Sequence, residues 1–440
     1  MSVRRDRAFF AVCLALQGSV LVGLAIAARS GCQPSTVVAG LAACFIPYLG
    51  VIASSRSVGS PRALNLIAML SALTFGGAFL FAPPLLSDDL YRYLWEGQLW
   101  LEGFNPYRLS PDDPILVPLR DELWPKINNK PLGSIYPPIS QLWFAAAAWL
   151  GGKVWTVKLL ALLAHVFSVA ALSRVSTSRT APLALALNPL LLSEGALNGH
   201  FDILCGLALL MAAWALAQGS FGRAGIAASA AVGLKVVGLV VVPLFLRRPK
   251  ALLGTALVSA LLLVPLVVSR GPLDAASGPA QFASRWRGNE SLFGLIGWLS
   301  RQICPEGSAD LVARSIVVLA LLLLCALAVY RQVPPLPAAR ALVWGVLLLS
   351  PQVHPWYLAW LLPLELAAGG SAGLVWSAAV LCAYAPLDLW VAEGVWRMPL
   401  RLQIFEYAVV TIALIVDPRR PTLRRPGSQG QLSRDSKGLA

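Results

Sequence analysis

Four separated stretches of this chain set ionisable side chains among apolar ones. The first, SDDLYRYLWEG, opens on adjacent carboxylates, Asp88 and Asp89. Read as a helix, it places Asp88, Arg92 and Trp95 on one face and Asp89, Tyr93 and Glu96 on the next. The second, SEGALNGHFD, carries Glu194, Asn198, His200 and Asp202. The third is Lys235, alone in AAVGLKVVGLVVVP, and the fourth is SPQVHPWYLAW, with His354 and Tyr357 at the start of an apolar run. Ionisable groups at such positions are costly and are functional candidates by default. A carboxylate within hydrogen-bond reach accepts the proton of an attacking hydroxyl. Arginine, lysine and histidine stabilise negative charge developing on a phosphate leaving group. Between lipid and water, that combination suits a donor with a lipid tail, a phosphate and a sugar. The residues point to lipid-phosphate group transfer and do not name the sugar.

Each stretch also has a plainer reading. Acids are favoured at helix amino termini, so Asp88 and Asp89 could cap a helix, although one acid would suffice. Asn198-Gly199-His200 could be a turn. Lys235 could snorkel to a surface, but its depth in an apolar run favours a buried or cavity-facing role, and its replacement by Met is expected to cost little folded protein. His165, in LLALLAHVFSV, has no polar company and reads as a structural hydrogen-bonding residue. The tryptophans read as interface anchors.

The elements that must position these groups are membrane helices. Of 440 residues, 57% are hydrophobic and 13% charged, too few charges to cover a soluble domain of this length. Runs such as ALLGTALVSALLLVPLVVS are long enough to cross a hydrocarbon core of about 30 Å. The expected fold is all-α, a polytopic transmembrane bundle of about 10–14 spans. The formal charge of +14 sits in short clusters beside apolar runs: Arg4, Arg5 and Arg7, the RRPK of 247–250, and the closing DPRRPTLRRP. That is the positive-inside pattern of a multi-pass cell-membrane protein, not a nucleic-acid footprint. It places both termini in the cytoplasm and Asp88, His200 and His354 on the outer side. The map gives a membrane domain over 1–417 with outer loops at 83–136 and 270–312, and a basic, disordered cytoplasmic tail over 418–440. It also requires 137–150 to be re-entrant or interfacial and the 222–246 stretch to break near Lys235, as helices do where they line a cavity. The seven cysteines form no CxxC pair, so no metal cluster is expected. Cys32 and Cys304 fall in loops on one side and read as free thiols.

With these motifs in place, a family resemblance follows. DDLYRYLWEGQLWLEGFNPY, IYPPISQLWFA, LNPLLLSEGALNGHFDILCGLALLMA, LKVVGLVVVPLFL and HPWYLAWLLPL resemble the GT-C superfamily of polytopic glycosyltransferases over about Leu85 to Leu362. The nearest resemblance is to polyprenyl-phosphate-mannose-dependent mannosyltransferases and glycosyltransferase family 87. It implies a GT-C bundle with a large, catalytic first outer loop. It also implies inverting transfer of a sugar, expected to be mannose, from a polyprenyl-phosphate donor to a glycan or glycolipid acceptor in the presence of membrane lipid. Asp88 or Asp89 would be the general base. Arg92, Lys235 and His354 would meet the donor phosphate, and Asn198, His200 and Asp202 would line the sugar or acceptor pocket. Tyr93, Glu96, Tyr136, Glu194 and Tyr357 complete the expected substrate site. Gln98 and Phe201 depart from the relatives, which often carry a basic and a second polar residue there. No cofactor is implied, and a divalent cation is left open. The alternative is a transporter or flippase of a polyprenyl-linked sugar; such proteins are often built from inverted repeats, and no internal repeat is visible.

Overall fold

Apolar runs with polar groups only at their ends satisfy their backbone inside a bilayer as helices, and helices are what this chain forms. The computed structural model describes residues 2–268, 278–305 and 307–417. Among these the chain has no strand beyond an isolated bridge between Gly288 and Gln352. It is an all-α polytopic membrane protein. Five stretches are long and apolar enough to cross a bilayer: Arg4–Arg29, Pro34–Ser57, Val154–Val175, Ala309–Tyr330 and Ala372–Glu393. Shorter apolar helices accompany them, and Leu311, Val318, Leu319, Leu322 and Leu323 leave one side of the fourth stretch exposed, as a lipid-facing surface requires. The expected tail 418–440 and the start of the expected second loop, 270–277, lie outside the described residues.

The amino-terminal half begins with α1 (Ser2–Arg29) packed along α2 (Pro34–Ser54), then α3 (Pro61–Gly77), whose first turn is capped by the Ser60 hydroxyl accepting from Ala63 N at 3.1 Å. Turns lead to α4 (Asp89–Leu101), which packs on α5 (Pro138–Trp149). A Cβ at Gly97 would lie 2.1 Å from the Phe144 carbonyl oxygen, so only glycine lets these two helices approach this closely. With 12 residues, α5 is about 18 Å long, shorter than a hydrocarbon core of about 30 Å.

Next come α6 (Val154–Val175), α7 (Ala181–Leu187), α8 (Pro189–Leu192) and a π-helical turn over Ser193–Leu197. After α9 (Ile203–Ala217), α10 (Phe221–Leu234) stops at Lys235, whose backbone is extended (φ −150°, ψ 140°) before a 3-10 stretch over Val236–Phe245. The span therefore breaks at the lysine. The remainder runs through α11 (Pro249–Val268), α12 (Gly278–Arg285), α13 (Leu292–Ile303), α14 (Ala309–Tyr330), α15 (Pro335–Leu349), α16 (Leu358–Ala367), α17 (Ala372–Ala379), α18 (Leu387–Glu393) and α19 (Leu400–Val416). The core sits where α7, α9 and α16 meet, around the fully buried Leu185, Leu187, Leu209 and Leu361.

Candidate active site

The acid pair lies just outside the apolar spans, at the start of α4. Neither acid caps that helix. Instead the Asn128 side-chain nitrogen donates to Asp88 Oδ1 and to Asp89 Oδ1, each at 2.7 Å. Asp88 is exposed and Asp89 half-buried. Desolvation of the carboxyl group and then the neighbouring Asp89 charge push Asp88 up to about 6, against the opposing pull of the Asn128 hydrogen bond. Arg92 and Glu96, one helical turn apart, form a buried ion pair at 2.7 Å. The rest of the Arg92 guanidinium faces the carbonyls of Asn128 (3.2 Å), Asn129 (3.1 Å) and Leu132 (2.6 Å). Glu96 Oε2 accepts from Ser134 Oγ at 2.7 Å and Gln141 Nε2 at 2.6 Å. Both expected ligands are thus engaged in fixing the loop that follows α4.

The SEGALNGHFD stretch lies across from α4. The π-turn widens the helix so that Glu194, Asn198 and His200 turn into the core, all buried. Glu194 accepts from the Tyr384 hydroxyl at 2.5 Å and from Asn198 Nδ2 at 3.4 Å. Asn198 Oδ1 in turn accepts from Leu86 N at 3.2 Å, tying this turn to the segment that leads into Asp88. His200 Nδ1 meets the Tyr93 hydroxyl at 3.1 Å, and its Nε2 lies 3.7 Å from Glu194. Asp202 Oδ1 accepts from Trp360 Nε1 at 2.7 Å and pairs with Lys235 Nζ at 3.3 Å.

Lys235 reaches this point because α10 ends there. Its ammonium lies 5.0 Å over the Tyr136 ring and 4.9 Å over Phe201, so the apolar residue at 201 forms a cation–π platform. The ion pair with a fully buried acid reverses one expectation. Removing the lysine alone would strand the Asp202 charge, which is destabilising and not neutral.

The fourth stretch arrives on α16. A Cβ at Gly206 would sit 2.0 Å from the Ala359 carbonyl oxygen, so glycine allows α9 and α16 to meet where Asp202 and Trp360 bond. His354, Trp356 and His200 form a continuous stack, with centroid separations of 4.2 and 4.0 Å. His354 Nε2 also contacts the Gln352 side-chain nitrogen. Tyr357 stacks on Trp360 at 4.0 Å.

All four stretches therefore meet. Asp89 lies within electrostatic range of Asp202, Glu194, Tyr136 and Tyr357. Where they meet, the side chains form a packed, two-tier arrangement. Asn198, His200, Asp202 and Glu194 are buried behind, while Asp89, Lys235, His354 and Tyr357 keep partial exposure. Sequence reasoning missed Asn128, Tyr384 and Trp360, because a loop asparagine and apolar-run aromatics carry no spacing signal. His165 is, as expected, a core residue, its Nε2 3.1 Å from the Ala186 carbonyl. All seven cysteines are free. Among the described residues no three His, Cys, Asp or Glu side chains gather as a metal would need.

Residues 34–248, which hold three of the four stretches, match a family described as alpha-(1->6)-mannopyranosyltransferase, N-terminal domain. Over these residues, just under half of the chain, it is similar to that mannosyltransferase family. No curated protein and no solved structure matches the chain. The domain holds Asp88, Asp89, His200, Asp202 and Lys235, while His354 and Tyr357 reach it from beyond its end. A glycosyltransferase acting on mannose is the activity this domain supports.

Proposed function

We propose that this mannosyltransferase takes mannose from a polyprenyl-phosphate donor and passes it, with inversion, to a glycan or glycolipid acceptor on the non-cytoplasmic face of the cell membrane. The observation that carries this reading is Lys235. It is a cation at a break between apolar helical stretches, partly exposed and paired with Asp202. A lipid-borne phosphate presents its charge at such a depth, and an anion there offsets the cost of the lysine.

The chemistry follows from the partly exposed tier. The acceptor hydroxyl attacks the anomeric carbon and gives its proton to a carboxylate, while the bond from that carbon to the phosphate oxygen breaks. Asp89 is the better base, because it faces Asp202, Tyr136 and Tyr357 across the site, whereas Asp88 faces Lys130 and Tyr91. Lys235 and His354 receive the negative charge of the departing phosphate. An alpha linkage formed with inversion calls for a β-linked donor. Sidedness is supported by the gathering of basic segments: Arg7 and Arg179 both donate to the 57–59 turn, at 3.0 Å to Ser57 O and 2.8 Å to Val58 O. We assign that end, and both termini, to the cytoplasm. The loop over 83–136 is then the outer catalytic loop of a membrane domain spanning 1–417.

The test is donor choice by purified protein. Transfer is expected from polyprenyl-phosphate mannose and not from GDP-mannose. Robust transfer from GDP-mannose, in a preparation free of polyprenyl phosphates, would overturn the reading.

A further inference from the structure

We infer that Asn128 is a positioning residue for the acid pair: its one amide group holds Asp88 and Asp89 together and leaves Asp89 Oδ2 free to take a proton. The inference rests on the mannosyltransfer reading for its consequence and on geometry for its content. Adjacent carboxylates repel one another. An amide nitrogen has two hydrogens, and here each goes to one Oδ1 at 2.7 Å, the length of a charge-assisted hydrogen bond. An oxygen in that place would confront two carboxylate oxygens, so the contacts themselves fix which way the amide points. Among the described residues, neither Oδ2 has a hydrogen bond from the protein.

Asn128 is itself held. Its own carbonyl and that of Asn129, which turns the chain at φ +44°, both accept from Arg92 Nη1, and Leu132 O accepts from Arg92 Nη2. Arg92 is fixed in turn by Glu96, and Glu96 by Ser134 and Gln141. The ion pair inside α4 therefore sets a loop that returns an amide to the first residues of the same helix. A simple loop staple would need one bond to one acid. A bridge to both sets their spacing and their shared charge.

Besides Asp89, the charged and titratable groups facing Asp88 are Lys130 and Tyr91. Those facing Asp89 across the site are Asp202, Glu194, Tyr136 and Tyr357, with Tyr93 and Tyr384 further along. None of these donates a hydrogen bond to either Oδ1.

The test compares Asn128→Ala and the isosteric Asn128→Asp with the unmodified full chain in nanodiscs. Farnesyl-phosphoryl mannose serves as donor and octyl α-mannoside as acceptor. For Asn128→Ala, kcat should fall roughly 10- to 100-fold, the equivalent of one charge-assisted hydrogen bond, with KM for the donor unchanged. Losing donors to the anions favours the protonated acids, so the acid limb of the kcat profile should move up by roughly one pH unit. Asn128→Asp should lose more and shift further. In parallel, carbon-13 carboxyl titration of Asp-labelled protein, assigned with Asp88→Asn and Asp89→Asn, reads the pair without any turnover. An unmoved titration in folded Asn128→Ala and Asn128→Asp overturns the inference whatever the activity. A shifted titration in the variants, where the unmodified chain too transfers no mannose, sustains the bridge and overturns the mannosyltransfer reading instead.

Discussion

Two buried clusters of acids and bases share α16, and they are built differently. At one end Glu365, fully buried, accepts from Arg340 Nε at 2.5 Å, Arg340 Nη2 at 3.0 Å, Trp344 Nε1 at 3.0 Å and Gly373 N at 3.2 Å. Asp417 completes it, accepting from Arg340 and from Ser371 N and Oγ. This network ties α15, α16, α17 and the end of α19 into one unit. At the other end, around Asp202, Asp202 Oδ2 and His200 Nε2 are buried without a hydrogen bond among the described residues. Buried polar groups are nearly always satisfied, and a partly satisfied network is a poor way to stabilise a core. The first cluster holds the fold. The second leaves two buried polar atoms without a partner among the described residues, and on the proposed function those are places a substrate would meet.

The sharpest way to break this contrast is at the acid pair. Asp89→Asn should cut turnover by about 10²–10⁴-fold, the contribution of a general base, with melting temperature and membrane insertion unchanged. Asp88→Asn should lose less. If both variants turn over normally, the base is elsewhere, and Glu194 is the next residue to change. The converse change is Arg340→Met, which leaves Glu365 and Asp417 buried without their cation. It should destabilise by about 3–5 kcal/mol, read as a lower unfolding temperature in detergent, while the protein that does fold keeps its specific activity.

Lys235→Met tests both clusters at once. Alone it should weaken donor use and also lower stability, because Asp202 loses its partner. Adding Asp202→Asn should restore much of the stability and none of the activity. Restored activity in the double variant would make the lysine a structural counter-ion only. The smallest effect is that of pH. With the Asp88 carboxyl raised to about 6, Asp88 takes up a proton as pH falls through that value and the charge beside Asp89 is lost. Transfer should therefore decline as pH falls through about 6, and a flat profile down to pH 5 would remove the pair from the rate.

How much of this was legible beforehand depends on what the residues have to do. The helical class and the break at Lys235 follow from apolar runs and one ill-placed charge, because a bilayer leaves few alternatives. The meeting of Asp89, His200, Lys235 and His354 was an expectation from the basic clusters and the family resemblance; the contacts depend on Gly97 and Gly206, two glycines among 36 in the chain. Arg92 shows the limit most clearly. The family resemblance implies a phosphate ligand there, yet its donors are taken up by loop carbonyls some forty residues on. No periodicity announces that a loop will fold back onto its own helix. Asn128 was silent for the same reason.

The most direct test is a structure of the protein in a nanodisc with a non-transferable phosphonate analogue of polyprenyl-phosphate mannose. The account predicts the phosphonate against Lys235 and His354, with the anomeric carbon facing Asp89 and the Arg340–Glu365–Asp417 cluster unchanged. A phosphonate bound away from Lys235, or an anomeric carbon turned away from both Asp88 and Asp89, would contradict it.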